Sequence, residues 1–60
     1  MNQEEAILEL KELEQSIDNE AAHGRADDIL IAYLESLGDG PKSVADAYTS
    51  LSHKVSFWYA

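Results

Sequence analysis

The sequence contains no cysteine, so no disulfide bond can stabilise the chain. Its two histidines do not stand at zinc-ligand spacing, and no structural zinc site is predicted. A domain of 60 residues buries only about 60% of its unfolded surface and usually needs a further source of stability. Oligomerisation is the source that these absences leave open, and we expect a homodimer.

Basic residues are also few, four against twelve acidic ones, and the formal net charge is −8. Direct binding to a nucleic acid is not expected, because contact with phosphates needs a basic stripe. The first residues are acidic, and no apolar run approaches the roughly 18 residues of a membrane span. The sequence therefore predicts neither a signal peptide nor a transmembrane helix, and we expect a soluble cytoplasmic protein.

What the sequence does contain is helical periodicity. The first segment repeats apolar residues at spacings of 4, 3 and 4, at Ala6, Leu10, Leu13 and Ile17. Gly38 suits the position just past a helix end, and Pro41 suits the first turn of the next helix. We predict an all-α fold, a compact three-helix unit in one domain, 1–60, with helices at about 3–18, 20–37 and 41–54.

The second helix is apolar around most of its circumference. With Leu30 as the reference, Ile29 and Ile31 lie about 100° to either side. We expect the other two helices to cover the sector around Leu30, and at least one of the two isoleucines to face another chain. A helix that is apolar on several sides is normally buried by several neighbours.

The third helix presents an apolar stripe that we expect to face inward, at Val44, Ala47, Tyr48 and Leu51. The chain then continues into consecutive aromatic residues, which favour burial. We expect this C-terminal tail to pack on the helices, with docking on a second subunit or another partner as the alternative. The predicted partner or dimer interface consists of Ile29, Ile31, Tyr33, Phe57, Trp58 and Tyr59.

His23 and Asp27 stand four residues apart, so they lie on the same side of a helix. We interpret them as a structural polar pair, with metal binding or general-base catalysis as the less favoured hypothesis. No catalytic, cofactor-binding or metal-binding residue is predicted, and we do not expect an enzyme. No nucleotide-binding or Ser/His/Asp motif is present.

Carboxylates are concentrated in the first helix, where Glu5, Glu9 and Glu12 represent the acidic face. A solvated helix face that keeps a small protein soluble accounts for this pattern. The alternative is a nucleic-acid mimic, in which the acidic face occupies a basic groove of a partner protein.

The second helix and the tail together resemble short helical proteins of bacteriophages and prophages. The resemblance is carried by the pattern H-x-x-A-D-x-x-L-x-x-x-L-x-x-L-G and by a final W-Y-A. The matching residues are His23, Ala26, Asp27, Leu30, Leu34, Leu37, Gly38, Trp58, Tyr59 and Ala60. This chain departs from the pattern by inserting Asp39, Gly40 and Pro41 between the helices.

The resemblance implies a phage gene expressed inside a bacterium. Small acidic phage proteins without enzyme motifs often bind host or defence proteins. We therefore expect an accessory protein that acts by protein–protein interaction and inhibits a bacterial host or anti-phage defence protein. This expectation comes from context and not from individual residues.

Overall fold

The computed structural model of the protein describes residues 1–55, and within this range it contains three α-helices and no strand. Helix α1 spans Gln3–Glu12 and continues into a 3₁₀ turn, Leu13–Gln15. Helix α2 spans Asn19–Glu35, and helix α3 spans Asp39–Lys54. The prediction of an all-α, three-helix fold is confirmed. The first helix ends earlier than predicted, because its last turn tightens to 3₁₀.

Helices α1 and α2 begin where side chains can satisfy the free amides of a first turn. At α1 the Glu5 amide donates to Asn2 Oδ1 over 2.8 Å, and the Asn2 amide donates to the Glu5 carboxylate over 3.3 Å. This reciprocal pair is a capping box. At α2 the Ala21 amide donates to Asp18 Oδ1 over 3.0 Å. Both caps compensate for donors that have no partner inside the helix.

The connection between α2 and α3 depends on Gly38. Its φ is +121°, and no other residue of the described range has a positive φ. A side chain at this position would be strained, so the sequence-based assignment of Gly38 to the turn is confirmed. Helix α3 begins directly afterwards at Asp39, two residues before the predicted start, and Pro41 lies in its first turn.

The three helices run antiparallel to their neighbours, with α2 between α1 and α3. At one end of α1, the Ser36 hydroxyl donates to the Met1 carbonyl over 2.8 Å. Farther along, Arg25 donates to the Glu9 carboxylate. Short connections favour this arrangement, because each helix must reverse direction to pack on the one before it.

The helices lie side by side in a single layer. The Cα trace measures 34 × 31 × 8 Å, and 8 Å leaves room for one helix only. The radius of gyration is 12.2 Å, against about 10 Å expected for a globular domain of this length. Each helix therefore has two faces that no other helix of residues 1–55 covers.

A single layer leaves a small hydrophobic core. Among residues 1–55 the buried hydrophobic residues are Ala6, Ile29 and Ala45, one from each helix. Ile29, with 1% of its surface exposed, is the only large fully buried side chain of this range. The small side chains of Ala6 and Ala45 allow α1 and α3 to approach α2 closely. Ile29 fills the space between α1 and α2.

Three expectations about inward faces are wrong. Leu30, expected at the centre of the covered sector, is 52% exposed, while Ile29 is buried. On α3 the buried residue is Ala45, and Val44 of the predicted inward stripe is 64% exposed. Ile17 is fully exposed because α1 and its 3₁₀ turn end before it. The predictions assumed a bundle, in which neighbours converge on one side of each helix.

Candidate functional site

An apolar groove runs between α2 and α3 on one side of the layer. Its volume is about 190 Å³. Its walls are Leu30, Ile31 and Leu34 from α2 and Val44, Ala45 and Tyr48 from α3, with Asp27 as the charged residue among the described lining residues. Ala45 lies at the contact between α2 and α3. Its side chain is too small to fill the space beside this contact, and a groove remains there.

An exposed stripe on α3 continues this groove. Val44, Tyr48 and Leu51 follow each other at spacings of 4 and 3, which places them on one side of the helix. All three are exposed. The predicted inward stripe is therefore real as a pattern, but it is rotated away from α2 by about 100°, the angle between Ala45 and Val44.

Helix α1 adds to the same side of the layer. Arg25 lies about 140° from Leu30 around α2, so its ion pair with Glu9 marks the side opposite to the groove. Ile7 lies on the other side of Ala6 from Glu9, and therefore on the side of Leu30. Ile7 is exposed.

All three helices thus contribute large hydrophobic side chains to one surface, which we call the apolar face. Its members are Ile7, Leu30, Leu34, Val44, Tyr48 and Leu51. Contiguous apolar surfaces of this kind mark sites of interaction with proteins or other partners.

The predicted interface residues have different positions in the structure. Ile29 is buried within the single chain, so the prediction that it is available to a partner is corrected. Helices α1 and α3 lie on opposite sides of α2, and Ile29 points toward the α1 side, where it is covered. Ile31 and Tyr33 are partly buried, and Ile31 lines the groove. Phe57, Trp58 and Tyr59 lie outside the described residues.

The opposite side of the layer is polar and acidic. Glu5, Glu9 and Glu12 lie there on α1, and Asp28 and Glu35 lie 140–160° from Leu30, as the roughly 100° step per residue requires. Two of the three predicted acidic-face residues serve the fold itself. Glu5 completes the capping box, and Glu9 is half-buried against Arg25.

A further ion pair stands on α3, where the Lys42 ammonium donates to Asp46 Oδ2 over 2.9 Å. This hydrogen bond, together with the negative charge of Asp46, raises the pKa of Lys42 above its ordinary value of 10.5. Glu35 of α2 adds a smaller effect in the same direction.

His23 and Asp27 lie on the same side of α2, as predicted, with 3.9 Å between His23 Nε2 and Asp27 Oδ1. This is an ion-pair separation, longer than a hydrogen bond. The Asp27 carboxylate accepts a hydrogen bond from the Tyr48 hydroxyl over 3.0 Å, which links α2 to α3. The sequence carries no signal for this contact, because its partners are 21 residues apart.

Within residues 1–55, no group of three or more His, Cys, Asp or Glu side chains is arranged to hold a metal ion. None of the helices in this range has the length and apolar composition required to cross a membrane.

Comparison of the chain with protein-family models, with curated proteins and with solved structures gives no match.

Proposed function

We propose that this protein acts by protein–protein interaction, and that two copies pack their apolar faces together as a homodimer. The observation that carries the proposal is the contrast between a core with one large side chain, Ile29, and an uncovered surface with several. Stable domains usually bury their apolar surfaces between two packed layers of secondary structure. A second copy supplies the missing layer.

The dimensions of the layer suit such a dimer. A 34 × 31 Å outline encloses about 1,050 Å², while a stable interface buries about 800 Å² on each partner. An interface built from the same surface on both copies closes on itself with two-fold symmetry. One side of the layer is therefore large enough for an interface of this size.

The charge distribution favours the same pairing. The net charge is −8, and carboxylates such as Asp28 and Glu35 lie on the side away from the groove. When the apolar faces meet, these carboxylates stay in water and keep apart from those of the second copy. Pairing through the acidic sides would instead bring like charges together.

Sedimentation of two charge-introducing variants tests the dimer. Leu30→Glu places a carboxylate on the apolar face, and we expect it to sediment as a monomer at concentrations where the unmodified chain is a dimer. Leu8→Glu is the matched control, because Leu8 is exposed and lies on the outer side of α1, away from this face. A monomeric unmodified chain, or a dimeric Leu30→Glu variant, would contradict the proposal.

We further propose that the target is a bacterial protein and that binding inhibits a host or anti-phage defence function in the cytoplasm. The resemblance of the His23–Gly38 helix to phage and prophage proteins supports this context. The aromatic residues 57–59 are proposed to pack on the helices next to this surface. Inhibition of a purified, captured bacterial protein by the unmodified chain, and its loss with Leu30→Glu, would test the inhibitory role.

A further inference from the structure

The groove between α2 and α3 has room for one branched side chain but not for a helix. Its volume is about 190 Å³, and an apolar cavity of about 150 Å³ takes up one benzene molecule. Its lining residues on α2 run from Asp27 to Leu34, so the middle of the groove lies at the level of Leu30. When two apolar faces meet, a side chain of the second copy can fill this space.

We propose that Leu30 of each copy inserts into the groove of the other, and that the two α2 helices run parallel. This inference rests on the proposed homodimer and specifies its two-fold axis, which lies between the two layers and parallel to the helices. Leu30 is exposed on the middle helix of the layer. It is the inserted side chain for one groove and a wall of the other.

Two-fold symmetry limits how two layers of helices meet. An axis between the layers and perpendicular to the helices stacks each helix on its own copy, with its direction reversed. The groove of one copy then faces the groove of the other, and both remain unfilled. An axis parallel to the helices reverses the order of the helices across the layer instead. An offset of half a helix spacing, about 4–5 Å, then seats one helix of each copy over the groove of the other.

The level of a residue along the helices determines which one enters the groove. Rotation about an axis parallel to the helices keeps every residue at its own level, so the groove receives a residue from the level of its own middle. Leu30 stands at this level and points out of the layer. Ile29 and Ile31 point about 100° to either side of it, toward α1 and α3. Leu30 is therefore the side chain of α2 that reaches the groove of the second copy.

The outer helices decide that α2, and not α1, lies over the groove. Seating α2 there covers the exposed stripe of α3, which consists of Val44, Tyr48 and Leu51. Seating α1 there, with Ile7 as the inserted residue, shifts the layers the other way and leaves much of this stripe in water. Helix α1 contributes one residue to the apolar face and α3 contributes three, so the offset that covers α3 buries more apolar surface.

Single cysteine substitutions test the orientation, because the unmodified chain contains no cysteine. Between parallel α2 helices about 10 Å apart, Cα atoms that face each other are about 5 Å apart, which a disulfide bond spans. His23 and Leu34 lie within about 40° of Leu30 around α2. We therefore expect both His23→Cys and Leu34→Cys to form disulfide-linked dimers under mild oxidation.

An antiparallel dimer gives a different result. If its axis passes at the level of Leu30, the two copies of position 23 are about 21 Å apart along the helices, beyond the reach of a disulfide bond. Asp28→Cys is the matched control, because Asp28 is exposed on the same helix and lies about 160° from Leu30. If His23→Cys stays unlinked in a dimer, or if Asp28→Cys links equally well, the parallel arrangement is overturned.

Nuclear Overhauser effects locate Leu30 in the unmodified chain, without any substitution. In a sample that mixes isotope-labelled and unlabelled chains, an experiment can be filtered for contacts between chains. We expect this experiment to show the methyl groups of Leu30 next to the Tyr48 ring and the Val44 methyl groups. A dimer that lacks these contacts would overturn the insertion of Leu30.

The homodimer and its arrangement can fail separately. Sedimentation of the unmodified chain reports whether a dimer forms, while the disulfide bonds and the filtered contacts report how its helices are arranged. A monomer contradicts the homodimer and the insertion together. A dimer with a different pattern of disulfide bonds retains the homodimer and removes the parallel arrangement.

Discussion

Replacing Ile29 by alanine tests the central structural result, that the small core depends on one side chain. Ile29 is 1% exposed, and the other buried hydrophobic residues of the described range are alanines. Among residues 1–55, no other large side chain is fully buried. The substitution should therefore leave a cavity between α1 and α2.

The magnitude follows from the atoms removed. Isoleucine loses three carbon atoms, which at about 0.8 kcal/mol each gives about 2.4 kcal/mol. The unfilled cavity raises the loss in the free energy of unfolding to about 3 kcal/mol. A domain of 60 residues has roughly 3–9 kcal/mol in total. The variant should therefore lose a large part of its stability.

Urea denaturation followed by circular dichroism measures this loss at a fixed protein concentration. Leu8→Ala is the control, because Leu8 is exposed and leucine and alanine are both strong helix formers. It should change the free energy of unfolding by less than about 1 kcal/mol. If Ile29→Ala costs no more than this control, the single-layer core described above is incorrect.

Further predictions concern the turn and the polar contacts. Gly38→Ala should lower stability by about 1 kcal/mol or more, because φ is +121°, whereas Gly24→Ala inside α2 should raise it by up to about 1 kcal/mol in thermal unfolding. Asp46→Asn should move the pKa of Lys42 back toward 10.5 in an NMR titration. Because this pKa is raised on folding, the pair stabilises the protein below pH 10.5, and the stabilisation is lost as the pH rises through the raised value. Tyr48→Phe should reduce stability by about 1 kcal/mol through loss of its hydrogen bond to α2.

Local features of the fold could be predicted because their causes are local. The breaks near Asp18 and Gly38 depend on capping side chains and on a conformation that glycine adopts, and both are visible in a few consecutive residues. The apolar spacing predicts too late an end for α1, because it continues to Ile17 after the α-helix has ended. Periodicity alone does not distinguish a helical turn from an extended residue that happens to be apolar.

The candidate site was predicted less well, and the reason is geometric. The spacing of Val44, Tyr48 and Leu51 predicts an apolar stripe on α3. It does not predict that this stripe faces solvent, because the expected direction is inward. The hydrogen bond between Tyr48 and Asp27 joins two helices and has no local signal. Periodicity identifies which residues share a side of a helix, and it does not state which side a neighbour covers.

The amino-acid pattern predicts three helices, their approximate ends, the acidic balance and an excess of apolar surface over what 60 residues can bury. Which apolar residues are covered depends on how the helices pack. In a bundle the neighbours of a central helix converge on one side, which would bury Leu30. In this single layer they lie on opposite sides of α2, so Ile29 is buried and Leu30 is exposed. The apolar excess inferred from the sequence is thereby gathered on one face of the layer.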